Sequence, residues 1–129
     1  MISRMKWMAA LVAIAYASPV TAGCVNTPAP CELGKTGTYH ISLPENPSAK
    51  MPVVVFLHGY GGNGKAILRN NRISTPILQR GYALIAPNAL VRKGGRAASW
   101  NFHPDFNRGR NEAEFLRGVI DDAVKKYGL

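Results

Sequence analysis

The stretch Val53-Val54-Val55-Phe56-Leu57-His58-Gly59-Tyr60-Gly61-Gly62-Asn63-Gly64-Lys65 decides how the chain reads. Residues 53–57 form a continuous β-branched, aromatic and aliphatic run, the pattern of a central strand buried on both faces of a parallel sheet. Upstream, Tyr39, Ile41 and Leu43 alternate with polar residues across Thr38–Leu43, which predicts a strand with one face in water and His40 exposed. Pro44–Pro52 reads as a turn. Downstream, an apolar segment runs from Ala66 to Arg80 with an interruption at Asn70-Asn71. Its second half has Ser74 or Thr75 as N-cap, Pro76 in the first turn and Gly81 as a stop. Tyr82–Ala86 is the next buried strand, and Pro87–Arg110 is a long loop rich in Gly, Pro and Asn. A helix follows, with Asn111 three residues before Glu114 as a relaxed capping box and Glu112 and Glu114 suited to the positive end of the dipole. Phe115, Val119, Ile120, Ala123, Val124 and Tyr127 share one face of it, and Gly128 ends it. Strand, helix, strand, loop, helix predicts an α/β fold with a mostly parallel sheet.

The N-terminus carries a different signal. Arg4 and Lys6 precede an apolar run from Met8 to Ala17, and small residues follow up to Ala22. That is the organisation of a secretory signal peptide over residues 1–22, with cleavage after Ala22 or, as the alternative, after Ala17. The run is shorter than the roughly 20 residues that cross a bilayer, so no membrane span is expected. Residues 23–129 then form one partial domain, secreted or periplasmic. Export turns Cys24 and Cys31 into a candidate disulfide, because thiols in an oxidising compartment pair. The competing reading makes Thr21-Ala22-Gly23-Cys24 a lipobox with a lipid anchor on Cys24, but Thr21 stands where Leu or Val is usual and Cys31 would be stranded.

The chain carries 16 Lys and Arg against 7 Asp and Glu. Charge of this sign raises the question of nucleic acid. The basic residues are spread over helix faces and one loop, Arg92-Lys93-Gly94-Gly95-Arg96, without a nucleic-acid-binding motif, so a solvated surface is expected and no nucleic-acid partner. The loop can still attract anionic substrates.

The glycine-rich turn fits three motifs. Gly59-Tyr60-Gly61-Gly62-Asn63-Gly64 satisfies G-x-G-x-x-G, but the dinucleotide fingerprint also needs a carboxylate at the end of the next strand, and that strand ends Ala86-Pro87-Asn88. Gly59 to Lys65 satisfies G-x-x-x-x-G-K, but Ala66 follows, with no hydroxyl for Mg²⁺. The third is an apolar strand running into His58-Gly59 and a glycine loop, which in α/β-hydrolases supplies a backbone N–H to the oxyanion hole. Glycine suits that chemistry because the main chain must approach a tetrahedral oxyanion closely.

On these residues the sequence resembles the poly(3-hydroxybutyrate) depolymerase-like esterases, which include feruloyl-esterase-like members. The resemblance rests on Phe56 to Gly62, on Arg80-Gly81-Tyr82 leading to Ala86-Pro87-Asn88, on Ser99-Trp100-Asn101-Phe102-His103-Pro104, and on Asn111-Glu112 to Phe115-Leu116. It implies the N-terminal part of an α/β-hydrolase three-layer sandwich, truncated before the nucleophile strand. It also implies a serine esterase that acts on a polymer, an oligomer or a small aromatic ester through an acyl-serine intermediate, with no cofactor and no metal. The Tyr60 backbone N–H would be the oxyanion donor, with Gly59 and His58 as loop support. Tyr60, Trp100 and His103 would lie on the substrate side; Trp100 either stacks on substrate or anchors its loop. No G-x-S-x-G occurs in the 129 residues, and Ser74 and Ser99 are nucleophile candidates only by residue type. The expectation is therefore a fragment, inactive alone, of an active parent. The alternatives are a catalytically dead secreted remnant or binding protein, and a related hydrolase such as a serine peptidase.

Overall fold

A three-residue turn, Gly34–Thr36, joins strand β1 (Cys31–Leu33) to β2 (Gly37–Ser42), and a connection that short permits only antiparallel pairing. The computed structural model describes residues 23–91, 94–103 and 109–129; the expected leader, its cleavage sites, and Arg92, Lys93 and Pro104 lie outside them. After β2 come β3 (Val53–Val55), helices α1 (Gly64–Arg69) and α2 (Asn71–Gln79), β4 (Ala83–Pro87), the short strands β5 (Leu90–Val91) and β6 (Ala98–Ser99), and α3 (Glu112–Tyr127).

The main sheet has the order β1-β2-β4-β3. Its β1–β2 and β2–β4 pairs are antiparallel, and only β3–β4 is parallel. β5 and β6 form a separate antiparallel pair. This overturns the expected mostly parallel α/β-hydrolase sandwich: the described sheet is mixed. The physical reason is connectivity. A parallel pair needs a crossover that returns the chain to its starting end, and only the α1–α2 segment between β3 and β4 provides one.

Two strand expectations change with it. Residues 53–57 are not a central strand: β3 lies at the sheet edge, its three residues are half-buried, and Leu57 is exposed. His40 is not exposed either. It is buried, because α1 packs across that face of β2 and β4. The approach is so close that a Cβ on Gly64 would collide with the Ala86 carbonyl oxygen and touch His40, so only glycine fits there. The opposite face carries the main core, where Cys31, Tyr39, Ile41 and Ile85 meet Phe115, Val119 and Ala123 of α3. Each large apolar side chain buried in this way contributes about 1.5–3 kcal/mol.

The helices follow their caps. Asn70 ends α1 by donating its N–H to Ala66 O and opens α2 by accepting from the Arg72 N–H, so the bend between them is a single residue. The expected start at Ser74 or Thr75 is thus corrected: Pro76 lies inside α2, and Ser74 Oγ donates to Asn70 O. On α3, Asn111 Oδ1 accepts from the N–H groups of both Ala113 and Glu114, and Gly128 closes the helix with φ 67°. Of the face expected to be apolar and buried, Phe115, Val119 and Ala123 are buried, whereas Ile120 and Val124 are exposed.

Cys24 and Cys31 form a disulfide that closes a loop across a separation of 7 residues. In the chain-entropy model such a bridge adds roughly 2–3 kcal/mol. It ties the N-terminal arm to β1, and the Tyr127 hydroxyl donates to Cys24 Sγ at 3.2 Å, bringing the end of α3 against it. Among the described residues no helix is long and apolar enough to cross a membrane.

A polar link fastens α3 to the sheet: Tyr39 Oη donates to Asp122 Oδ2 at 2.7 Å, and Lys126 Nζ donates to the same oxygen at 2.8 Å. Burial, and then the Asp122 hydrogen bond, raise the Tyr39 phenol above its ordinary pKa. For Asp122, burial alone opposes the charged form, but the bonds from Lys126 and Tyr39 outweigh it and the carboxyl sits below its ordinary value. A carboxyl depressed in the folded state contributes stability that is present above its unfolded pKa and is lost as pH falls through the folded one. Asp122→Asn should therefore lower urea-measured stability near neutral pH. The gap to the unsubstituted chain should shrink as pH drops below the ordinary carboxylate value of 3.8.

Candidate functional site

Beyond β3 the sheet bonding stops quickly. The Phe56 N–H still donates to Ile85 O at 2.8 Å, and the chain then leaves the edge into the turn 57–62. His58 is the anchor of that turn and is only 3 % exposed. Its Nε2 accepts the Ala89 N–H at 3.1 Å, and its Nδ1 lies 2.8 Å from Gly59 O, so the ring carries its proton on Nδ1 and donates there. The Gly62 N–H returns to Gly59 O at 3.0 Å, and a Cβ on Gly62 would press on both Gly59 O and the His58 ring. The Gly61 N–H donates to Ala98 O of β6 at 2.9 Å.

Trp100 closes the other side. Its indole N–H donates to His58 O at 2.8 Å, and its ring lies 5.2 Å from the His58 ring and 6.2 Å from that of Phe102. Of the two roles weighed for Trp100, the anchoring one is present in these contacts. Tyr60 stands at the tip with 83 % exposure, and its N–H meets no acceptor among the described residues. The turn is thus fixed on both sides, and one main-chain donor at its exposed tip is without an acceptor among the described residues.

The structure brings His58, Gly59, Tyr60 and Trp100 together. His103 lies further along the loop, exposed, on a small cleft of about 250 Å³ shared with Phe102, Arg110 and Glu112. Neither candidate serine is placed as a nucleophile: Ser74 is buried in α2 and Ser99 pairs with Leu90 in the β5–β6 ribbon. Among the described residues no three His, Cys, Asp or Glu side chains gather as a metal site would require.

Sequence reasoning missed the group that holds the long loop. Arg110 and Glu112 are buried and paired, with Nε to Oε2 at 3.0 Å and Nη2 to Oε2 at 2.7 Å. Arg110 Nη1 also donates to Thr36 O at 3.1 Å and Nη2 to Asn88 O at 3.3 Å, while the guanidinium carbon sits 3.8 Å above the Phe115 ring. Glu112 Oε1 accepts the Asn101 N–H at 3.2 Å. Glu112, read as a complement to the helix dipole, is therefore the partner of a buried cation. The available signal was weak, since a pair two residues apart at a helix start looks like ordinary surface charge.

Compared with models of known protein families and with curated proteins, the chain matches none.

Removing one partner of a buried ion pair leaves the other charge uncompensated, at a cost of about 3–5 kcal/mol. Glu112→Gln and Arg110→Met should each lose stability on that scale in urea titrations. The double variant Arg110→Met/Glu112→Leu should lose less than the two single losses combined.

Proposed function

We propose that this chain supplies the oxyanion loop of a carboxylic ester hydrolase of the polyhydroxybutyrate depolymerase-like type, exported from the cytoplasm and working through an acyl-serine intermediate. The observation that carries the reading is the Tyr60 N–H, without an acceptor among the described residues, at the exposed tip of a turn braced by His58 and Trp100. Acyl transfer puts negative charge on the carbonyl oxygen in the transition state, and a donor fixed beforehand stabilises that charge without reorganising at the moment of reaction. In this scheme a serine hydroxyl attacks the ester carbonyl and gives its proton to a general base of the parent enzyme, Tyr60 N–H donates to the resulting oxyanion, and the alkoxide takes that proton and leaves as the alcohol while the acyl-serine forms. Water then releases the acid. His58 takes no proton in either step, because both its ring nitrogens are engaged within the turn.

The reading rests on the turn and on the sequence motifs around it. The Cys24–Cys31 disulfide supports export, since such bonds persist in oxidising compartments. One observation favours a second reading, a secreted binding protein that has the loop without the chemistry: neither Ser74 nor Ser99 is placed to attack a substrate.

The test uses the product of the complete reading frame. It should carry a serine on a Gly-x-Ser-x-Gly turn and hydrolyse p-nitrophenyl butyrate in a sulfonyl-fluoride-sensitive manner. Tyr60→Pro, which deletes the N–H, should lower kcat by about 10²–10³ with little change in KM, whereas Tyr60→Phe should stay close to the unsubstituted enzyme. A reading frame without such a serine, or a Tyr60→Pro enzyme of full activity, overturns the proposal.

A further inference from the structure

On the other side of the same turn lies a second feature, an open cleft of about 560 Å³ between the N-terminal arm, α1 and the β5–β6 ribbon. Pro28, Pro30 and Val91 give it an apolar wall, and Lys65 and Arg96 supply two cations. His40, 5 % exposed, contributes to the lining, and its Nδ1 is buried without a hydrogen-bond partner. Burial, and then the positive charge of Lys65, lower the His40 imidazole below its ordinary pKa. Among the described residues no carboxylate lines this cleft.

Lys65 and Arg96 are both exposed and both line the cleft, so their charges make it favourable to an anion. An anionic group bound there meets two cations with no described counter-charge in the lining. The apolar wall adds a place for a short hydrocarbon body beside that anion. Bare phosphate would use the cations and leave the wall unfilled.

We propose that this cleft binds a short-chain carboxylate, its head group between Lys65 and Arg96 and its alkyl body against Pro28, Pro30 and Val91. Because Gly61 and Gly62 form part of the same cleft, the bound species is the free-acid end of an ester substrate or its acid product, and this last step rests on the esterase reading. The binding itself does not depend on that reading.

Titration calorimetry of the purified chain with hexanoate, hexanamide and inorganic phosphate tests it. Hexanoate should bind, hexanamide should bind at least about tenfold more weakly, and Lys65→Met/Arg96→Met should weaken hexanoate by a similar factor. Lys65→Arg should retain binding, which separates lost charge from lost fold, and circular dichroism of each variant checks the fold directly. Equal affinity for hexanamide, unchanged binding in the double variant, or phosphate binding as tightly as hexanoate overturns the proposal. These readouts measure binding alone, so an absence of ester hydrolysis would sink the esterase reading and leave this result standing.

Discussion

The buried guanidinium of Arg110 is the contact on which the arrangement of the loops depends. Taking a cation and a carboxylate out of water costs several kcal/mol for each ion, and the cost is recovered only when nearly every donor and acceptor is used. Here they are used on groups far apart in sequence: the β1–β2 turn through Thr36, the end of β4 through Asn88, the long loop through Asn101, and the start of α3 through Glu112. The Phe115 ring beneath the guanidinium adds a cation–π contact and joins the ion pair to the core. Among the described residues between β4 and α3 the regular structure is the two-residue strands β5 and β6. Arg110 fixes the end of that connection against the sheet, and Trp100 fixes its middle to the turn at His58.

The legible parts of the chain are those whose signals are local. α3 has a side-chain cap, an apolar face and a glycine stop within one short window, and it forms over Glu112–Tyr127 as its pattern implies. β4 reads correctly to within a residue because a buried run leaves few alternatives. Strand direction is another matter. Periodicity shows that a strand exists and says nothing of which neighbour it takes, so the mixed pairing of β2 with β4 could not be read from either segment alone. β1 escaped notice because it is three residues long between Pro30 and Gly34. His40 was misplaced for a related reason: alternation reports which residues are polar, and only the packing of α1, permitted by Gly64, decides whether that face meets water. At the turn itself, the bonds that fix the chain come from Ala89, Ala98 and Trp100, and no pattern within the turn could supply them.

The same turn could have suited nucleotide chemistry by its glycine spacing, and the residue that argues against it is Asn88, at the strand end where a ribose-binding carboxylate would stand. The structure gives that amide a use that a carboxylate could fill only with the Thr38 hydroxyl turned round. Its Oδ1 accepts the Gly64 N–H at 2.7 Å, its Nδ2 donates to Thr38 Oγ1 at 2.8 Å, and its own backbone N–H donates to Thr38 O at 2.9 Å. An ionised aspartate only accepts, so it could satisfy Gly64 but would turn a negative oxygen toward the Thr38 hydroxyl, which would have to reorient to donate in return. The carbonyl of Asn88 is at the same time an acceptor for Arg110. Residue 88, just past the end of β4, thus joins the start of α1 and the strand β2 through its side-chain amide, and the buried guanidinium through its backbone carbonyl. The turn carrying Tyr60 runs into α1, whose first residue the Asn88 amide holds, so the amide there has a structural role before it is a clue about ligands.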